Sequence, residues 1–228
     1  MKLWKFDSGI YPVIPGMDIA LGDYGYWQDS QWCRVGNIEQ LPNCPRVFSR
    51  KRQPLNQSVS ESLEVDIKGE NIANLDVLDL KAGGEMFFKK KNSQIFIGDL
   101  KECIYYSSID MEISPFLCLL SERGLWKTEY WLAYYVVYSD KFLTMRSKSA
   151  GASVKINADL SLRDLQDVKT GLTDKLSFKK DSVESVTNKE DELTFAGAKF
   201  ISLRKGGLFR RDVKVKYNSV DTDEILLV

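Results

Sequence analysis

Residues 128–160, TEYWLAYYVVYSDKFLTMRSKSAGASVKINADL, decide how this chain is read. The stretch opens on an unbroken aromatic and apolar run, Tyr130 to Tyr138, then passes into near-strict alternation at Ala152, Val154, Ile156 and Ala158. A short continuous apolar run fits a strand buried on both faces, while alternation fits a strand with one apolar face. Divided near Phe142, the first part predicts a buried central strand in any setting. The second part can turn its apolar face to a protein core or to hydrocarbon.

Composition removes several classes of function. At 228 residues, 43% hydrophobic and 28% charged, the chain reads as one globular domain, 1–228, with a sizeable core. Lysine plus arginine equals aspartate plus glutamate at 32 each, so no nucleic-acid partner is expected. Histidine is absent, which excludes Ser-His-Asp and Cys-His nucleophiles, histidine-ligated zinc and histidine acid-base chemistry. With no other catalytic constellation, the expectation is a non-enzyme without cofactor or metal. Cys33, Cys44, Cys103 and Cys118 show no CxxC pair. The first residues lack a secretory leader, and no apolar run approaches the ~18 residues of a spanning helix. A cytoplasmic, reduced setting follows as the expectation.

Along the chain, short strands dominate. Residues 18–27 and Gln31 to Val35 predict a hairpin, and Leu41 to Pro54 a connector in which Arg50-Lys51-Arg52 is a solvated loop. Val59, Leu63, Val65 and Ile67 fall on one face of a strand over 58–68. GEMFFKKKNSQIFIGDL, residues 84–100, reads as strand, turn and strand, with another strand over 101–108. MEISPFLCLLSERG predicts a helix capped by Ser114, with Pro115 in its first turn and Gly124 at its end. A short helix near 160–167 and strands at 174–179, 182–187, 193–204 and 208–217 complete the pattern. The fold class is α+β: a twisted, mostly antiparallel sheet with a few packed helices.

The glycines of GDYG and Gly83-Gly84 form no phosphate-loop motif, and the aromatic residues suit core packing. The chemistry left is that of surfaces. Ala152, Val154, Ile156, Ala158, Leu160 and Leu162 share one side of a strand, opposite Ser153, Lys155, Asn157, Asp159 and Ser161. Leu176 and Phe178 form a second such pair. A membrane strand needs only about 9–11 residues with one apolar face, and a half-buried soluble strand has the same alternation. Two readings therefore lead, a membrane-active β protein or a soluble β-rich protein-interaction module without membrane activity; an enzyme using carboxylates or lysine is a third, with least support.

The order of features resembles the amino-terminal pore-forming domain of gasdermins. YGYWQDSQWCRVGNIEQL is similar to the family's tryptophan-rich early strands. SQIFIGDLKECIYYSSIDMEISPFLCLLSERGLW is similar to its long strand followed by a loop and helix with a leucine pair. WLAYYVVYSDKFLTM stands where the family has an apolar strand with a valine pair, here Val136-Val137, and ELTFAGAKFISLRKGGLF resembles the late strand closing the second insertion hairpin. Tyr138 and Ser139 follow the valines where the family has threonine and glutamate, and the first cysteine is Cys33. The chain is too short for the large autoinhibitory domain of animal members and resembles the compact microbial and fungal type.

That resemblance implies a gasdermin-like fold and a soluble monomer that oligomerises into a β-barrel pore, in cell death or immunity. The extensions would lie near 81–107 and 142–203, with Val154, Ile156, Ala158, Leu160, Leu176 and Phe178 entering the membrane. Lys89, Lys90, Lys91, Lys179, Lys180, Arg210 and Arg211 would meet anionic lipid headgroups. It further implies a cytoplasmic inactive form, a membrane-bound active homo-oligomer, and control by an activating protease or an inhibitory partner.

Overall fold

The computed structural model describes residues 10–12, 17–29, 31–42, 44, 48–68, 83–157, 176–178, 182–187, 193–205 and 213–217. They form an α+β fold of two antiparallel sheets and, among the described residues, one α-helix. The strands are β1 (Tyr11–Pro12), β2 (Asp23–Gln28), β3 (Gln31–Asn37), β4 (Arg50–Leu63), β5 (Val65–Lys68), β6 (Glu85–Phe88) and β7 (Gln94–Tyr106). After the helix α1 (Ser114–Glu122) come β8 (Trp131–Ser147), β9 (Ala152–Ile156), β10 (Leu176–Ser177), β11 (Val183–Thr187), β12 (Thr194–Lys205) and β13 (Val213–Tyr217).

The aromatic run becomes the centre of the larger, nine-stranded sheet. One edge of β8 pairs with β7 and, at its start, β2; the other pairs with β12 and then β11. Strand β4 lies outside β7, and β1 and β13 lie outside β12. Four residues of the run, Leu132, Ala133, Val136 and Val137, are wholly buried, as its continuous apolar pattern requires. The smaller sheet has the order β10-β9-β6-β5.

Several expectations change at the level of elements. Arg50, Lys51 and Arg52 are not loop: they begin β4, pairing with Tyr106, Tyr105 and Ile104. Residues 101–106 continue β7 rather than starting a new strand. Val59 and Val65 do not share a face, because Glu64 takes a left-handed φ of 54° and carries the chain from the larger sheet to the smaller. Val59 then joins the core around Phe96 and Phe142, and Val65 packs on the core around Met86 and Phe88. The strand–turn–strand at 84–100 is not a hairpin either, since β6 and β7 belong to different sheets. Alternation shows which face of a strand is apolar, but not which sheet supplies its partner.

The helix begins as expected in place but not in mechanism. A π-helical turn, Ile109–Ile113, precedes it, and Ser114 is its first residue, with its hydroxyl unpartnered. Glu112 ties this end down instead, accepting the Ser49 N–H and hydroxyl, each at 2.7 Å. At the far end Gly124 takes a φ of 70°, its N–H bonding the Ser121 carbonyl (3.0 Å) while Leu125 N–H bonds that of Leu120 (2.8 Å). This is the glycine-dependent closure anticipated from sequence. Phe116, Leu117 and Leu120 pack on Tyr106, Tyr130, Leu132 and Tyr134, so the helix covers one half of the larger sheet.

Beneath the helix, burial pushes the Tyr134 phenol up to about 12. Burial, then the hydrogen bond its hydroxyl donates to Glu39 (2.8 Å), pushes Tyr106 up as well. Unfolded, both phenols ionise near pH 10. Above that pH the unfolded chain holds fewer protons than the folded one, so stability falls as pH rises. The stabilisation is complete below about pH 10 and is lost towards and beyond about pH 12. Urea unfolding midpoints measured between about pH 9 and 11 are expected to fall, and to fall less in Tyr106→Phe and Tyr134→Phe. An unchanged slope in both variants would contradict this assignment.

Candidate functional site

Two of the predicted insertion residues lie on β9 and two at or just beyond β10, and all four are packed. Val154 is fully buried, Ile156 and Leu176 nearly so, and Phe178 is half-buried against the same cluster. From β6 come Met86 and Phe88; from the larger sheet come Ile95, Ile97, Leu143, Met145 and Val183. The smaller sheet thus closes over the half of the larger sheet that the helix does not cover. Burying one such aliphatic side chain stabilises by about 1.5–3 kcal/mol. Ala158 and Leu160 lie outside the described residues.

Alternation holds along β9: Ala152, Val154 and Ile156 face this core, while Lys155 is exposed and Ser153 half-buried. Lipid hydrocarbon and a protein core are comparably apolar. Moving this face between them costs little in hydrophobic terms, provided every backbone group stays hydrogen-bonded.

Of the predicted headgroup residues, Lys89, Lys90 and Lys91 sit together on the turn between β6 and β7. Lys89 pairs with Asp66 (2.7 Å) and Lys90 with Glu64 (2.5 Å). Both pairs are solvent-exposed, and exposed pairs are worth little, so another anion can replace either acid cheaply. Lys148 lies on the adjoining turn, 4.0 Å from Glu184. Sequence reasoning missed it, because 57 residues separate it from Lys91. Lys179, Lys180, Arg210 and Arg211 lie outside the described residues.

The two turns are pinned to one another. Asn92 N–H bonds the Ser147 carbonyl (2.9 Å), Ser147 N–H bonds the Ser93 carbonyl (2.9 Å), and the Ser147 hydroxyl donates to the Lys90 carbonyl (2.6 Å). Asn92 has a left-handed φ of 67°, which asparagine tolerates better than most residues. Its side-chain oxygen accepts from Arg146 Nε (3.1 Å) and Nη2 (2.6 Å). Arg146 is 6% exposed, with Glu184 of β11 at 3.8 Å. Burial lowers its pKa and Glu184 opposes that shift. Further out, Lys148 N–H bonds the Ser182 carbonyl at 2.8 Å, and Lys89 N–H bonds that of Glu64 at 2.9 Å. A line of polar contacts therefore crosses all four strands where they leave the larger sheet. Its only signal in the sequence is the polar run Lys89 to Gln94 between apolar runs.

Tryptophans of the early hairpin pack against their aromatic neighbours. Trp27 and Trp32 lie 5.2 Å apart, and both contact Phe200. Among the described residues no group of three or more Asp, Glu, Cys or His is placed to hold a metal ion. No helix among them is long and apolar enough to cross a membrane, which does not bear on crossing by strands. No protein-family model matches the chain, and no curated protein is similar to it in sequence.

Proposed function

We propose that this chain is a gasdermin-like pore-forming effector that oligomerises into a β-barrel in membranes, acting in cell death or immunity. The observation that carries the reading is the order of the smaller sheet. Strand β5 follows β4, β6 precedes β7, β9 follows β8 and β10 precedes β11; the order β5-β6-β9-β10 repeats β4-β7-β8-β11. The smaller sheet is thus a four-stranded outward extension of the larger one, folded back upon it. On this reading the extensions run from about 64 to 93 and from 148 to 182, the first lying earlier and the second falling inside the range that the resemblance implied. Each is roughly 30 residues, enough for two arms longer than the 9–11 residues a tilted membrane strand needs.

The four-stranded unit also suits closure. Its neighbours are all antiparallel, so the outer strands β4 and β11 run in opposite directions. Copies placed side by side then meet in an antiparallel pairing, leaving no open edge in hydrocarbon. The basic turns Lys89–Lys91 and Lys148 lie at the fold line, where each cation near an anionic surface contributes about 1 kcal/mol.

Dye release from vesicles containing phosphatidylserine or cardiolipin tests the proposal. The expected result is release by the purified chain that weakens in zwitterionic vesicles and at high salt. Full retention of dye, with exchange protection of 83–157 unaltered by vesicles, would overturn it and favour a soluble β-rich interaction module.

A further inference from the structure

We infer that the smaller sheet already holds the central strand pairing of the membrane form, so that activation straightens a crease rather than unfolding and re-pairing the extensions. The inference rests on the pore-forming reading and concerns how that change is made. In the larger sheet Gln94 of β7 faces Arg146 of β8. Counting seven residues outward along both strands leads to Phe87 and Ser153, and these two face each other in the smaller sheet. The register is the same on both sides of the fold. Between the pair Gln94–Arg146 and the pair Phe88–Ala152 lie 89–93 on one strand and 147–151 on the other, stretches of equal length, and hydrogen bonds run across them from Asn92 to Ser147 and from Ser147 to Ser93. Strands β7–β6 and β8–β9 are one two-stranded ribbon bent double.

The pleat supports this. Ile95, Ile97, Leu143 and Met145 face the shared core from odd positions; Met86, Phe88, Ala152, Val154 and Ile156 face it from even ones. Each strand has shifted its pleat by one residue at the crease, and because both have, their pairing is unchanged. Two unrelated loops would not be expected to match in this way, since a one-residue slip in either would move a whole apolar set to the wrong face.

The flanking strands differ. Leu63 faces Gln94, but Val65 faces Phe88, a slip of four residues from the continued register. On the other side Ser147 faces Val183 and Ile156 faces Leu176, a slip of two. Both are even and preserve the apolar faces. Straightening therefore asks β5 and β10 to slide while β6 and β9 stay paired. The Asn92–Arg146–Glu184 contacts hold the bend, and the central ribbon is the part that never separates.

The test is a cross-link that only this route tolerates. Opposed residues in an antiparallel pair keep Cα atoms about 4.5–5.5 Å apart, within disulfide reach. Phe87→Cys with Ser153→Cys, oxidised, staples β6 to β9. Release from anionic vesicles is expected to persist with the bridge intact, as verified by non-reducing gel of the recovered pores. Release lost on oxidation and restored by reduction would overturn the inference while leaving pore formation standing. Absence of release from the wild-type chain would instead remove the pore-forming reading itself. Val65→Cys with Phe88→Cys gives the counterpart: that pair must slide, so oxidation is expected to block release. A bridge there without effect would likewise overturn the inference.

Discussion

Val154→Asp is expected to abolish dye release, whereas Lys155→Glu, one residue further along the same strand, is expected to leave it intact. Both predictions follow from the alternation of β9. The Val154 side chain is fully buried between Met86, Ile156 and the floor of the larger sheet. A carboxylate there finds no partner in an apolar cluster and costs several kcal/mol, or takes up a proton instead. In the proposed pore the same position faces lipid, where a charged side chain is again unfavourable by a few kcal/mol. The substitution penalises both states, so it is expected to loosen the smaller sheet as well as to stop release. Faster amide exchange in 83–88 and 152–156, with β8 from 131 to 139 still protected, is the accompanying observation. Lys155 is exposed in the folded chain and takes the water-filled side in a barrel, so reversing its charge disturbs neither. Release by Val154→Asp at the wild-type rate, or loss of release in Lys155→Glu alone, would contradict the assignment of faces.

How much of this could be read from sequence depends on which physical signal each element carries. Tyr130 to Tyr138 is legible because a strand buried on both faces must be apolar at every position. The helix end at Gly124 is legible because few other residues accept its φ. The start at Ser114 is not legible, since a serine before Pro115 suits an N-cap and nothing local announces the π-helical turn before it. The second sheet is less legible still. Its strands alternate as any half-buried strand does; Glu64, where the chain leaves one sheet for the other, does not mark a corner by composition, and the turn holding Asn92 is legible as a turn but not as a change of sheet. The insertion candidates Val154, Ile156 and Leu176 were found by alternation alone. Their shared cluster depends on pairings as distant as Glu85 with Lys155, 70 residues apart in the chain, a distance over which local pattern carries no information.

Phe142→Ala is expected to be the most destabilising single truncation in the larger sheet, at about 3–5 kcal/mol. Phe142 is fully buried and stacks on Phe96, ring centroids 5.9 Å apart and nearly parallel. It faces Gly98 across the β7–β8 ladder, and the missing side chain of that glycine makes room for it. A Cβ at position 98 would lie 2.6 Å from the Phe142 Cβ and 3.0 Å from the Lys141 carbonyl. Total stability of a domain is about 5–15 kcal/mol, so losing this ring removes a large fraction of it. Chemical denaturation with a lowered midpoint and an unchanged slope is the direct measurement. Gly98→Ala offers a sharper one. Its clash is with the Cβ and the backbone, both of which alanine at 142 retains, so the double variant should not recover what either single one loses. A strongly compensating double-mutant cycle would show that the strands can separate locally. It would also imply that the ladder next to the crease is far more pliable than a wholly buried, glycine-matched phenylalanine allows.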